Sequence, residues 1–334
     1  RVALGDGLAF DEARVREFRR VVLIGMGTSM NAAMVGRHYI ERFARIPAEL
    51  DNSAEFRYRQ PVLDEHTLVI SVAQSGETVD TLAAMDEARR AGCAQITLCN
   101  NPGAQTTRVA DGTIYMRAGP EIAVASTKTM AASMLLLHGV ALHLGRVRGV
   151  LDEQTARQQV EAALHLPVAI SEALELAPRI EEIAGRYAKF DNFLYLGRGL
   201  GYPMAMEGAL KLKEVSYIHA EGYAAGEMKH GPIALIDEHM PTVAIALHDE
   251  VFEKMRSNIE QVRARKGAVI AIVSHGDRSL EGTASEIIEL PEIDPMLSPL
   301  VSVVVVQLLA YYIAVSRGAD VDQPRNLAKT VTVE

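Results

Sequence analysis

Tryptophan is absent from this chain, aromatic residues make up only 5% of its 334 positions, and no block of basic residues occurs along it. Nucleic-acid binders normally carry a basic stripe with stacking aromatics, so the expectation is no nucleic-acid partner, and the formal net charge of −9 points the same way. Cysteine is scarce: Cys93 and Cys99 each sit in an apolar stretch, in no metal-ligand or C-x-x-C spacing. Buried thiols in a reducing compartment fit that usage, and the cytoplasm is the expected location. Long hydrophobic runs are missing too. The longest, 131–144 and 300–315, are interrupted by His138, His143 and Gln307 and fall short of the roughly 20 residues a bilayer needs, so they read as core helices, with no membrane partner. There is no H-E-x-x-H and no histidine pair four residues apart, so neither a metal nor another cofactor is expected. No signal peptide opens the chain and its first residue is Arg1, which leads to the expectation of an upstream segment that has been removed.

What is present is a repeat. Residues 21–27 read V-V-L-I-G-M-G and precede a helical pattern over 31–44; residues 193–199 read F-L-Y-L-G-R-G and precede another over 204–217. At one constant offset Gly25 meets Gly197, Gly27 meets Gly199, Ala33 meets Ala205 and Glu49 meets Glu221, which implies a duplicated domain. Further apolar strand-like runs follow at 68–72 and 95–99 in the first copy and at 242–247 and 268–273 in the second, separated by helical patterns at 78–91 and 251–265. Strands alternating with helices predict α/β architecture, two parallel sheets each with helices on both faces. The expected boundaries are a first domain over 1–150, a helical connector over 151–189 punctuated by Pro167 and Pro178, a second domain over 190–317, and an irregular tail over 318–334.

The two copies carry different chemistry. In the first, Gln74-Ser75-Gly76-Glu77-Thr78 follows a strand and precedes a helix. Ser75 can cap that helix, and the unpaired N–H groups of its first turn with nearby hydroxyls form an anion site that needs no Lys or Arg. Thr28 and Ser29 would face the same crevice. The plain alternative is an ordinary helix cap. A dinucleotide site is disfavoured because no third glycine follows Gly25 and Gly27 and no acidic residue clearly closes the second strand. The second copy has Leu200-Gly201 in place of Thr28-Ser29, and His248-Asp249-Glu250 where the hydroxyl loop should be. Instead, Glu207, Lys211 and Glu214 share one helix face there, Tyr39 and Arg42 matching the last two in the first copy. Taken alone they could be solvent-facing pairs. The polar stretch from His219-Ala220-Glu221 to Gly226-Glu227-Met228-Lys229-His230-Gly231-Pro232 reads as a functional loop.

The motifs G-T-S at 27–29, S-x-A-Q-S-G-E-T at 71–78, V-A-S-T-K at 124–128, E-G-A-L-K-L-K-E at 207–214, Y-I-H-A-E at 217–221, G-E-M-K-H-G-P at 226–232 and D-Q-P-R-N-L-A-K-T-V-T-V-E at 322–334 closely resemble the isomerase half of the glucosamine-6-phosphate synthase family, a branch of the sugar isomerase (SIS) superfamily. The resemblance runs from Val21 to Glu334. It implies a tandem pair of SIS domains that turn fructose-6-phosphate and ammonia into glucosamine-6-phosphate. By that resemblance Thr28, Ser29, Gln74, Ser75, Thr78, Val124, Ser126 and the tail residue Ala328 contact phosphate and sugar. Glu214 moves the proton between C1 and C2, Lys211 assists, His230 opens the sugar ring from the neighbouring subunit of a homodimer, and Lys329 reaches C2. Ala73 stands where the family commonly has Ser, so one phosphate bond is absent or supplied by water. Ammonia would come from an upstream glutaminase domain whose nucleophilic N-terminal Cys has no counterpart in Cys93 or Cys99. A free-standing glucosamine-6-phosphate deaminase and a phosphosugar-sensing regulator are the alternative readings.

Overall fold

The computed structural model describes residues 8–329. In chain order its elements are α1 (Glu12–Glu17), β1 (Arg20–Gly25), α2 (Thr28–Tyr39), β2 (Ala48–Asn52), α3 (Ser53–Phe56), β3 (Thr67–Ala73), α4 (Val79–Arg90), β4 (Ala94–Cys99), α5 (Gln105–Val109), β5 (Gly112–Tyr115) and α6 (Lys128–Val147). There follow α7 (Glu153–Glu175), α8 (Ala177–Tyr187), β6 (Asn192–Gly197), α9 (Gly201–Ser216), β7 (His219–Ala224), β8 (Thr242–Ala246), α10 (Phe252–Arg263), β9 (Val269–Val273), β10 (Glu286–Glu289) and α11 (Ser298–Ser316). The chain divides into two compact units, one running through Ala163 and taking up the tail again from Ala328, the other Leu164–Leu327.

Each unit holds a five-stranded parallel sheet, in the order β2-β1-β3-β4-β5 in the first and β10-β9-β8-β6-β7 in the second. Read from the other edge, the second order is the first one over again. Even the register repeats: Val21 pairs with Ala48 and Val22 with Glu49, while Phe193 pairs with Ala220 and Leu194 with Glu221. The central strands are buried along their length, as parallel strands covered on both faces must be. Side chains alternate across a strand, so Val22 and Ile24 of β1 meet Ala84, Met85 and Ala88 of α4 on one face, and the other face takes α2 with α6. In the second unit Leu194, Leu196, Ala244 and Ala246 pack on Phe252, Met255, Ile259 and Val262 of α10.

On the opposite face of that sheet α9 lies close to β6. A Cβ on Gly208 would come within 2.5 Å of the Tyr195 ring and 3.1 Å of Val306, so the glycine of E-G-A-L-K is what lets the helix approach. That approach carries Glu207 and Lys211 into the interior.

Several expectations need correcting. Strands β2, β5, β7 and β10 were not anticipated; in particular His219-Ala220-Glu221, read as loop, is the first half of β7. β2 does bring an acidic residue after the G-x-G turn, Asp51, but it is engaged by Arg59 Nε at 2.5 Å. Pro167 does not break the helix: α7 runs through it. Its missing N–H deprives the Ala163 carbonyl of a helical donor, and the division between the units falls at that residue. The helices built on the two apolar runs are longer than the runs. Helix α6 and the stretch Pro295–Ser316 have the length and composition of a membrane span, with 56% and 67% of the apolar window buried inside the protein.

Candidate functional site

In the first unit the G-x-G turn puts Gly27 in the left-handed region (φ 54°) as the N-cap of α2, so Thr28 and Ser29 form the helix's first turn, both half-buried. The neighbouring loop leaves the end of β3 through Gln74 and Ser75. Gly76 there has φ 70°, and a Cβ would lie 2.6 to 2.7 Å from Ala104, Thr106 and Cys99, so only glycine fits. Glu77 does not belong to the anion chemistry: its carboxylate accepts from the Gln105 N–H at 3.0 Å and starts α5. The Ser75 cap expectation fails. Helix α4 begins at Val79 with Thr78 in the cap position and no side-chain cap bond, and Ser75 Oγ accepts instead from the Glu77 N–H at 3.3 Å. The first-turn N–H groups of α4 are thereby left to another acceptor, as an anion site requires.

The segment bearing Val124 and Ser126 is organised by a residue the sequence reading passed over. The Glu121 carboxylate, 3% exposed, accepts from Thr127 N (2.7 Å), Thr127 Oγ1 (3.1 Å), Thr129 Oγ1 (2.6 Å) and Thr129 N (3.4 Å). Burial pushes its pKa up, but the Thr129 hydroxyl, the Thr127 amide and the Lys329 ammonium outweigh burial and hold the carboxyl below its usual range. Lys329 Nζ stands 3.4 Å from Glu121 Oε2 and donates to the Ala123 carbonyl at 2.6 Å. Thus Ser126, Thr129, Glu121 and Lys329 form one cluster, with Ala328 exposed beside it. The only signal in sequence was an acidic residue shortly before V-A-S-T-K.

In the second unit, solvent-facing pairing is overturned. Glu207 is 0% and Lys211 2% exposed, while Glu214 is half-buried. Lys211 Nζ lies 3.5 Å from Glu207 Oε1 and donates to Glu214. Burial would depress the lysine, but the carboxylates of Glu207 and Glu214 outweigh it and hold the ammonium above its ordinary pKa. A half-buried carboxylate beside a fixed cation can take up and return a proton. His230 is exposed at the end of the 3₁₀ turn Ala225–His230, and among the described residues no hydrogen bond or ion pair joins it to Lys211 or Glu214. Helix α9 ends at Tyr217, left-handed at φ 62°; the Arg325 guanidinium stacks 4.2 Å from its ring centroid and the Arg325 N–H donates to its hydroxyl at 2.9 Å.

The loop after β8 carries titratable side chains in place of the hydroxyls of the first copy's loop. His248 stacks on Phe252 (4.9 Å) with Nδ1 3.7 Å from Asp277, and burial together with Glu250 raises the Asp249 pKa. Both cysteines are buried, and burial pushes the Cys93 thiol up to about 11 and raises Cys99 as well.

The SIS domain family model matches residues 15–143 and 173–317. Glutamine–fructose-6-phosphate aminotransferase (isomerizing) of Thermus thermophilus is 49% identical over 328 residues, 98% of this chain and 54% of that protein. The enzyme of the same name from Bacteroides thetaiotaomicron is 50% identical over 316 residues, 95% of this chain and 52% of its own length. The chain therefore spans about half the length of these curated relatives. A solved C-terminal domain of glucosamine-fructose-6-phosphate aminotransferase from Francisella tularensis superposes with a TM-score of 0.89 at 35% identity, over 93% of this chain and 88% of that one. With its paired sheets and these relatives, the chain belongs to the SIS domain family and, within it, to the group of the C-terminal domain of glucosamine-fructose-6-phosphate aminotransferase.

Proposed function

We propose that the chain is the sugar-phosphate isomerase half of a glucosamine-6-phosphate synthase. It takes fructose-6-phosphate and ammonia to glucosamine-6-phosphate, and in the absence of ammonia converts fructose-6-phosphate to glucose-6-phosphate. The observation that carries this reading is the pair of Glu207 and Lys211 inside α9, charging a buried position beside the half-exposed carboxylate of Glu214. Moving a proton from C1 to C2 of a ketose needs one carboxylate on a rigid element, which serves first as base and then as acid. Glu214 takes that role and Lys211 balances charge as the enediol forms.

Phosphate is assigned to the hydroxyls and helix termini of the first unit, at Thr28, Ser29, Gln74, Ser75, Thr78 and Ser126, with Val124 and Ala328 lining the sugar. An anion held this way uses dipoles and leaves the titrating charges to the chemistry. His230 passes the ring-opening proton, and we assign it to the neighbouring subunit's site in a homodimer. Lys329 acts at C2, as a cation facing developing negative charge or as an amine forming an imine. Ammonia reaches the site from a glutaminase domain; Cys93 and Cys99, buried thiols held in the protonated form, supply no glutaminase nucleophile. The cytoplasm is the proposed location.

The test is solvent exchange. In deuterated water without ammonia, the chain should exchange a C1 hydrogen of fructose-6-phosphate and yield glucose-6-phosphate carrying deuterium at C2, and it should release no glutamate from glutamine. Absence of exchange, or glutaminase activity, would refute the assignment.

A further inference from the structure

Glu121 belongs to none of the motifs that carry the resemblance, yet it is the most heavily bonded carboxylate of the first unit's candidate site. Its position suggests a use. Ser126 Oγ and Thr129 Oγ1 are 2.6 Å apart, and Thr129 Oγ1 is also 2.6 Å from Glu121 Oε2. A hydroxyl has one proton to give, and Glu121 held as a carboxylate has none, so Thr129 donates to Glu121 and Ser126 donates to Thr129. The same oxygen, Oε2, also faces Lys329 Nζ at 3.4 Å.

The hydroxyl of Ser126 is thus committed inward. An anion arriving at Ser126 must recruit that proton, and Thr129 then keeps only its bond to Glu121. The carboxylate itself opposes an incoming anion unless a cation offsets it, and Lys329 is the cation that does. Resting on the functional reading above for the anion site, we propose that Glu121 is a positioning residue that couples anion binding at Ser126 to the docking of Lys329 through the line Ser126, Thr129, Glu121, Lys329. Linkage makes the effect reciprocal: a docked Lys329 tightens anion binding, and a bound anion holds Lys329 in place.

The experiment is calorimetric titration of the full chain with inorganic phosphate, which is too small to touch a lysine at the sugar end. It compares wild type, Glu121→Gln, Lys329→Met and the double variant, with Ser75→Ala as a control. Lys329→Met should weaken phosphate about 5-fold or more, the low end of ordinary coupling. In the Glu121→Gln background, where the lysine loses its carboxylate partner and keeps the Ala123 carbonyl, the same change should matter less than about 2-fold, as expected of uncoupled sites. Thr129→Val cuts the line without altering charge and should likewise blunt the Lys329→Met effect, which keeps the test valid if Glu121→Gln folds poorly. Equal losses in both backgrounds would mean that Lys329 attracts the anion directly, and the coupling would be wrong. Phosphate binding that is indifferent to Ser75→Ala would instead unseat the anion site, and a wild type that binds no phosphate would remove both.

Discussion

Replacing Lys211 by Met keeps most of the side chain's length, one heavy atom short, and deletes its charge. In the wild type the ammonium sits between a fully buried carboxylate, Glu207, at 3.5 Å and the half-buried Glu214. The substitution takes the cation from Glu207 in a place water does not reach, and breaking a buried pair by removing one partner costs about 3 to 5 kcal/mol. At about 2 to 4 °C per kcal/mol for a unit of this size, the second unit's melting transition should fall by roughly 6 to 20 °C at pH 7. Calorimetry can follow it, with circular dichroism as a second probe. The double variant Glu207→Gln with Lys211→Met should recover most of the loss. The wild type has a pH signature of its own: Lys211 is raised in the folded state, so its contribution is complete below the unfolded lysine pKa of about 10.4 and fades as pH climbs past that value. A Lys211→Met protein that melts within about 2 °C of wild type, less than one kcal/mol would produce, would show that the pair is not the buried unit the geometry implies.

Ser75→Ala and Thr78→Ala should each weaken sugar-phosphate binding by about 1 to 3 kcal/mol by isothermal titration, as lost bonds to a charged ligand do, while His248→Ala should change little; a sugar phosphate seated at His248 in a crystal would contradict this. Co-refolding a Glu214→Gln chain with a His230→Ala chain, each nearly inactive, should restore turnover in the mixed dimer, and no recovery in a verified heterodimer would assign both groups to one chain. Truncation after Gln323 removes Lys329 along with the residues that follow it and should abolish turnover in every combination, measured as glucose-6-phosphate formation; a truncated chain with normal turnover would strip the tail of its role.

The strands visible in advance were the buried ones. β1, β3, β4, β6, β8 and β9 are largely buried and read as mainly apolar runs with few polar interruptions. The edge strands β2, β5, β7 and β10 are short and half-exposed, with sequences such as A-E-L-D-N and H-A-E-G-Y-A that carry the polarity of loops. Hydroxyl loop and acid–base helix were legible because glycine spacing and i, i+4, i+7 spacing are local. The burial of Glu207 and Lys211 was not, since it depends on Gly208 admitting Tyr195 and Val306 from other elements. Nor was Glu121, whose partner Lys329 lies 208 residues away in sequence.

The duplication shows what the charges replaced. At the repeat offset, Glu207 and Lys211 occupy the positions of Val35 and Tyr39 in the first copy, both fully buried, with Tyr39 packed edge-on against His138. The scaffold therefore accepts an uncharged pair at these two places, and an uncharged pair is the cheaper occupant: exchanging a buried ion pair for packed side chains without charge is often neutral or stabilising. The second copy bears the desolvation of two ionised groups at the same helix positions, and it sets Glu214 at the position of Arg42. The loop after β8 differs in the same way, with His248, Asp249 and Glu250 where the first copy has neutral hydroxyls, and an acidic loop would repel the phosphate proposed for the first copy. Stability does not ask for either change. Each unit keeps the shared strand order and edge-strand register while its polar residues diverge, one copy toward hydroxyls and helix termini and the other toward ionised side chains, which under the proposed function separates phosphate binding from proton transfer.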